Sequence, residues 1–346
     1  MSRKAEDLAN RSAVSIQDVA EAAKVSIATV SRVLNNPHLV AGETAQRVQT
    51  EIARLGYVPN AFAQGLIKKS SHVLGIALPD LHGEFYSELL RGADTEARRR
   101  GYHLLVSSEA RHGGSPAVSG GVFGLIDGLA IMLTEPDERL WKETRGMRIP
   151  TVVLDAEIDA PHVDRILVDN AAGTHDATRH LLEAVKGDKL FFVGGPKENF
   201  DTKRRAEEFV RTLRASGAPA RKDEIAYGHY STEWGESWAN DRVKAGGVSA
   251  LKGVGVLAGN DEIALGILQA VQDAGLSVPR DVRIVGFDDT RIASMVRPRL
   301  STVRVPLVEV GEKAVQLLLE RIEDPRRPAA TVHLPTRLIV RESSGR

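Results

Sequence analysis

Several short polar clusters in this 346-residue chain carry side chains suited to holding a small hydroxylated molecule. Asp80 follows the apolar run VLGIALP, with Phe85 and Tyr86 just beyond it. Asn199, Asp201, Arg204 and Arg205 follow LFFVGG, Asn260-Asp261 follow VGVLAG, and Asp288-Asp289 follow VRIVGF. Carboxylates and amides bond hydroxyls, Arg adds a fixed fork of donors, and an aromatic plane covers the apolar face of a ring. For any one of these residues taken alone, the plainer role, capping the next helix, is the favoured reading. A different chemistry gathers near the N-terminus. Thr29, Ser31, Arg32 and Asn35 lie within seven residues; there Arg can bond guanine through two hydrogen bonds and the others can reach phosphate oxygens.

The elements that position these groups follow from periodicity. Ser15 with Asp18 three residues on predicts a capped helix start, and Ile16, Val19, Ala20 and Ala23 fall at helical spacing behind it. Ser26 is a second N-cap, followed by the apolar stripe Val30, Val33 and Leu34, with Ile27, Ala28, Ser31 and Arg32 on the opposite face. Ala45, Val48, Ile52 and Leu55 share one face of a third helix, which Gly56 ends. Three helices in about forty residues, two of them joined by a tight turn, describe a helix-turn-helix, a pattern that other small three-helix bundles share. From His72 onward strands and helices alternate. VLGIALP, YHLLVSS, DGLAIML, PTVVLD, KLFFVGG, GVGVLAGND and VRIVGFDD are strands, separated by helices over 85–100, 202–215 and a stretch ending at 274. This alternation predicts parallel sheets covered by helices, in a number that suits two doubly wound subdomains. Ligands bind such sheets beyond the carboxyl ends of the strands, which puts the polar clusters in a cleft between the subdomains.

Composition sets wide bounds. Zero formal net charge, 42% apolar and 27% charged residues describe a globular chain of two or three domains. The first seventy residues hold nine Lys or Arg against six Asp or Glu, an excess too mild to identify a nucleic-acid binder alone. There is no cysteine, so disulfide and thiol chemistry are excluded. No apolar run approaches the ~20 residues of a membrane span. The opening MSRKAEDLANRSAV lacks the apolar core of a secretory signal; it reads as a disordered tail over 1–14 on a cytoplasmic protein that does not engage a membrane. Enzymatic signals are missing as well. Neither G-x-x-x-x-G-K-[ST] nor G-x-G-x-x-G opens a helix after a strand, and no Ser sits in a nucleophile elbow. His175 and His180 are five apart rather than the four that puts two metal ligands on one helical face. No cofactor or metal is expected.

The residues themselves carry a resemblance. SIQDVAEAAKVSIATVSRVLNN, then ETAQRVQTEIARLGYVPNAFAQGL, closely resembles the N-terminus of the LacI/GalR family of bacterial transcription regulators. The match runs without a gap through D-V-A, V-S-x-A-T-V-S-R-V-L-N and L-G-Y-x-P-N-A-x-A. It implies that Ile27, Ala28 and Arg32 read bases, and that Ser26, Thr29, Ser31, Asn35, Thr44, Tyr57 and Asn60 meet the DNA backbone. It also implies a hinge helix that folds on DNA beside its dimer mate. Ala63 lies in that helix, and Leu66 wedges into the minor groove and kinks the duplex. Further on, GIALPDL, DGLAI, PTVVLD, VDN, GGP, AGNDEIALG, VPRDVRIVGFDD, RPRLSTVRVP, GEKAVQLLLERI and LPTRLIVRES match the family's regulatory domain in order. That domain is similar to periplasmic sugar-binding proteins, with two subdomains linked by three crossovers. Arg205 and Asp288 fall on the family's ligand-binding positions, and Asn260, Tyr230, Phe85 and Asp80 on cleft-lining ones; Asn199 and Tyr86 join them as candidates.

The expected fold is therefore an N-terminal all-α helix-turn-helix domain plus an α/β periplasmic-binding-protein-like domain of two doubly wound parallel-sheet subdomains. The helix-turn-helix takes 15–58, the hinge helix and linker 59–71, and the regulatory domain 72–346. Within the last, the first subdomain is expected over about 72–169 and 299–327, and the second over about 170–298 and 328–343. The implied function is a homodimeric repressor of a near-palindromic operator in double-stranded DNA, controlled by a small effector. A secreted solute-binding protein fits only the body of the chain, and a regulator with a vestigial cleft is the other alternative. Some positions depart from the family. Lys24 replaces the usual turn Gly, Ala41 stands where Ser caps the third helix, Gly65 interrupts the hinge, and EARHGGSPAVSGGVFGLIDG, around 109–126, replaces a charged helix. Ala156, Asn199 and Asp201 occupy positions where the purine-responsive branch has charged and aromatic groups, which favours a sugar or sugar derivative over a nucleobase.

Overall fold

The computed structural model describes residues 14–58, 70–108, 124–134, 149–157, 160, 162–185, 189–218 and 222–345. The chain divides into two compact units, Met1–Ser71 and His72–Arg346. The tail expected over 1–14, apart from Val14, and most of the Gly-rich segment lie outside the described residues.

Among its described residues the first unit has three α-helices, α1 (Ile16–Ala22), α2 (Ile27–Asn35) and α3 (Gly42–Leu55). A capping box starts α1: Ser15 Oγ accepts from the Asp18 amide at 3.3 Å, and Asp18 Oδ2 accepts from the Ser15 amide at 2.7 Å. The turn into α2 places Lys24 at φ 54°, the left-handed conformation that glycine adopts without a Cβ penalty. Val19, Ala23, Val30 and Val48 are fully buried where the helices meet, and Arg47 Nε on α3 donates to Ala23 O at 3.0 Å, tying the third helix to the turn. Ala41 begins α3 with no side-chain cap, as its methyl requires, and Gly56 ends it at φ 66°.

The second unit contains two six-stranded sheets with the same plan. In the first the strand order is β11 (Thr331–Leu334), β5 (Asp164–Val168), β4 (Thr151–Leu154), β3 (Gly128–Met132), β1 (Val73–Leu78), β2 (His103–Ser108). In the second it is β12 (Arg337–Ile339), β10 (Ser301–Arg304), β9 (Val282–Asp288), β8 (Val254–Ala258), β6 (Leu190–Gly194), β7 (Ile225–Tyr227). All neighbours are parallel except β10 and β12. The strands read as continuous apolar runs because helices cover both faces.

The chain crosses between sheets after β5, after β10 and after β11. This moves the subdomain boundaries expected from sequence: 299–304 belongs to the second subdomain, because Ser301–Arg304 pairs with β9, and Thr331–Leu334 belongs to the first, because it pairs with β5. The exchange of neighbouring strands is invisible in the sequence, since both runs are short and equally compatible with either sheet.

Among the described residues each subdomain also has a helix pair in backbone contact. In the first, α4 (Glu84–Arg99) crosses α10 (Leu307–Glu323), and a Cβ on Gly92 or Gly311 would collide with the carbonyl oxygen of Val308 or Leu89. In the second, α7 (Thr232–Gly246) crosses α8 (Asp261–Asp273), where a Cβ on Gly235 or Gly266 would meet the carbonyl of Ile263 or Thr232. Two further helices, α5 (Asn170–Val185) and α6 (Phe200–Ala215), and the short α9 (Arg291–Met295) complete the second subdomain.

Candidate functional sites

The exposed side of α2 is the first site. Ser26 caps it, its hydroxyl accepting from the Thr29 amide at 3.2 Å and pairing with Thr29 Oγ1 at 2.9 Å. Asn35 Nδ2 donates to Ser31 O at 2.8 Å one turn further on. Val30 and Val33 are turned into the core, while Ile27, Ala28 and Arg32 are exposed. Ile27 keeps 44% of its surface in solvent, a cost for a large apolar side chain that a partner surface would relieve. Thr44 lies half-buried in the first turn of α3, and Tyr57 packs its ring on the small core just after that helix. Asn60, Ala63 and Leu66 lie outside the described residues.

The second site lies where β6, β8 and β9 end opposite β4. In both sheets the strand order reverses beside the first strand of the set, β1 or β6, so the loops there diverge and leave a crevice. Arg205, on α6, is the hub and is 3% exposed. Its Nε donates to Asn170 Oδ1 at 2.8 Å and its Nη1 to Gly259 O at 2.6 Å, while the guanidinium carbon sits 3.7 Å from the centroid of Phe287. Its Nη2 is 3.8 Å from Asp201 Oδ2, and Asp201 Oδ1 accepts from Asn170 Nδ2 at 2.9 Å. Asp288 ends β9 at φ 103° and is 6% exposed, with Oδ1 buried and without a hydrogen-bond partner. Burial pushes its carboxyl up, Arg205 holds it back, and Asp201 and Glu262 add to the rise, to about 7.

Asp155, just past β4 at φ 56°, comes from the first subdomain and hydrogen-bonds Asp201 of the second. Burial and then the Asp201 charge push Asp155 well above the usual carboxylate range, while its Oδ1 also accepts from the Val168 amide at 3.2 Å. Other bonds join the subdomains around this pair. The Phe200 amide donates to Thr134 O at 2.9 Å, Arg204 pairs with Glu157 at 2.6 Å, and the Ile292 amide donates to Glu84 Oε2 at 3.2 Å.

Asn199 and Asn260 do what any helix-capping residue does, their side chains accepting from the Thr202 amide at 3.0 Å and the Ile263 amide at 2.9 Å. Asn199 is nevertheless part of the buried network, since the Tyr230 hydroxyl donates to its Oδ1 at 3.2 Å and pairs with Thr202 Oγ1 at 2.7 Å. The Tyr230 ring fits against Gly195, where a Cβ would strike it. Asp80 accepts from the Leu81 and His82 amides and from His82 Nδ1, so it organises its own loop. Burial raises its carboxyl, yet these bonds, led by the one from the His82 ring, leave it below the usual range. Phe85 and Tyr86 pack edge to face, 5.1 Å between centroids, in the first turn of α4. Beside Asp288 a cavity of about 550 Å³ opens where the chain crosses from β10 to α10, lined in part by Thr290, Arg304, Pro306, Leu307 and Glu88.

Sequence reasoning missed Asp155 and Asn170, and it read Asp261 as a possible hydroxyl binder, where it braces a turn. Asp155 and Asn170 sit at strand ends within PTVVLD and VDN, so their position was a usable signal. Asp261 is 1% exposed and accepts from the Thr290 amide at 2.8 Å and Thr302 Oγ1 at 2.6 Å, pinning the turn that presents Asp288. Burial, then the Asp288 charge, push the Asp261 carboxyl well above its ordinary value.

The sequence profile of the lacI family of bacterial regulatory proteins matches residues 15–60, over the whole described helix-turn-helix. Catabolite control protein A of Priestia megaterium is 33% identical over 334 residues, which cover 96% of this chain and 99% of that protein. The chain belongs to the lacI family. It is a DNA-binding transcription regulator and not an enzyme, like its relatives in this family. The periplasmic binding protein-like domain matches residues 178–344. A solved structure of the Lac repressor dimer bound to operator and the anti-inducer ONPF superposes with a TM-score of 0.83 at 26% identity, covering 97% of this chain and all of that one. A complex of the transcriptional regulator CelR with cellobiose gives 0.71 at 25% identity, covering 95% of this chain and 99% of that one. The lacI-family fold seen in these proteins, a helical N-terminal domain followed by two parallel-sheet subdomains, is the fold described above. Among the described residues no helix is long and apolar enough to cross a membrane.

Proposed function

We propose that this lacI-family regulator acts in the cytoplasm as a homodimeric repressor of a near-palindromic operator, and that a sugar or sugar derivative in the cleft sets its affinity for DNA. The observation that carries the reading is the buried Asp288, near Arg205, whose Oδ1 lacks a partner. A buried acceptor of this kind costs free energy unless something donates to it, and a ligand hydroxyl does so. Arg205, Asn199, Tyr230 and Asn260 line the same side, and Asp80, Phe85 and Tyr86 the other. The Lac repressor, crystallised as a dimer on its operator with a ligand, and the cellobiose complex of CelR support the extension to this chain.

At the DNA, Arg32 bonds guanine, Ile27 and Ala28 make apolar contacts to base edges, and Ser26, Thr29, Ser31, Asn35, Thr44 and Tyr57 position the helix on phosphates. Asn60, Ala63 and Leu66 form the hinge, with Leu66 as the wedge in the minor groove. Ligand closes the cleft and shifts the paired first subdomains, which changes how the hinges meet. Linkage makes the coupling reciprocal, so operator alters sugar affinity by the factor by which sugar alters operator affinity. Fluorescence anisotropy of a labelled operator, titrated with a panel of sugars, is the test. The reading predicts that one sugar moves the operator curve; a panel that leaves it unmoved, with equal sugar affinity in the presence and absence of DNA, refutes the allosteric part.

A further inference from the structure

We propose that the effector is a hydroxylated ring bearing a protonated amine, received by Asp155 and Asp201 from opposite sides of the cleft. This deepens the effector reading above and rests on it. The charges in the cleft do not balance. Asp155, Asp201 and Asp288 gather around a single guanidinium, that of Arg205, whose hydrogen bonds go to two neutral partners, the Asn170 amide and the Gly259 carbonyl. Its approach to the nearest of these carboxylates is 3.8 Å, to Asp201.

Among the described residues the groups around them add no positive charge. Glu262 and Asp261 press on Asp288, Tyr230 is held neutral by burial, Arg204 is occupied by Glu157, and His82 is spent on Asp80. Arg205 therefore offsets one of the three acids. An anionic ligand, such as a sugar phosphate, would meet the surplus head on. A neutral sugar would leave Asp155 and Asp201 facing each other with no cation between them, the juxtaposition that, after burial, raises the Asp155 carboxyl. An ammonium group supplies that charge and three donors in place of one. When it binds, the proton on Asp155 passes to solvent and two N–H bonds form, one to each carboxylate. Since these carboxylates belong to different subdomains, the same nitrogen would hold the cleft closed. Asp288 Oδ1 remains to accept a ring hydroxyl.

Isothermal titration of the full-length protein at about pH 6.5, with matched sets, tests this: glucose, glucosamine and glucose 6-phosphate, and the same three forms of galactose and of mannose. In at least one set the amine should bind about tenfold tighter than the neutral sugar, the phosphate should give no heat of binding, and the heat should vary with the buffer's ionisation enthalpy as for release of a proton. Asp155→Asn, close in shape to the protonated acid, should reduce the amine preference to about twofold or less. A neutral or phosphorylated sugar that binds as tightly as its amine overturns the charge inference and leaves the effector site standing. Silence from every set, with operator binding intact, overturns both.

Discussion

The reading helix and the cleft solve opposite problems. On α2 the proposed base readers Ile27, Ala28 and Arg32 are exposed, lie within a few residues of one another, and owe their position to one helix and its Ser26 cap. In the cleft they are buried, come from positions as far apart as Asp155 and Asp288, and are held by one another. A surface that must slide along many DNA sites gains from few internal commitments. A pocket that must recognise one small molecule gains from polar groups fixed before the ligand arrives. Both kinds of site store backbone strain at a positive φ, in Lys24 beside α2 and in Asp155 and Asp288 of the buried network.

This contrast yields tests of decreasing size. Arg205→Ala removes the guanidinium that, among the described residues, sits between three acids, and unfolding in urea should show a loss of about 3–5 kcal/mol; a loss below about 1 kcal/mol would mean the network is not held together by charge. Asp288→Asn should act through pH. The unfolded chain ionises this acid above about pH 4 and the native state only above about 7, so native stability falls across that window. The neutral amide escapes this, and its advantage over the parent should grow by about 2–3 kcal/mol between pH 5 and pH 8; a constant difference would place the buried charge elsewhere. Arg32→Ala should leave unfolding unchanged and cost on the order of 1–2 kcal/mol of discrimination at a single base pair in operator titrations. Lys24→Gly should raise the melting temperature through relief of about 1 kcal/mol. A concurrent large fall in operator affinity would show that the Lys also contacts a phosphate.

The same contrast explains what could be read in the sequence. The helix-turn-helix was legible nearly whole, because caps, stripe and reading face recur within forty residues, and Lys24 took the turn conformation that its neighbours demanded. In the regulatory domain the strand-end positions of Arg205, Asn260 and Asp288 were legible, since apolar runs mark where strands stop. Their partnerships were not. That Asp155 would meet Asp201, or that Asp261 would brace the Asp288 turn, depends on two sheets approaching each other, and no local periodicity encodes that approach. The exchange of β10 and β11 between the sheets was hidden for the same reason.

The glycine crossings have a mechanical consequence. Backbone against backbone, α4 cannot slide on α10, nor α7 on α8, without opening a gap that no side chain is long enough to fill. Each subdomain therefore behaves as a stiff plate, and the free energy released by a ligand has few soft places in which to dissipate. Under the proposed ligand control it appears as rotation about the three connecting segments, so a small displacement at the cleft reaches the far edge of the plate, in the manner of a lever turning on a thin pivot.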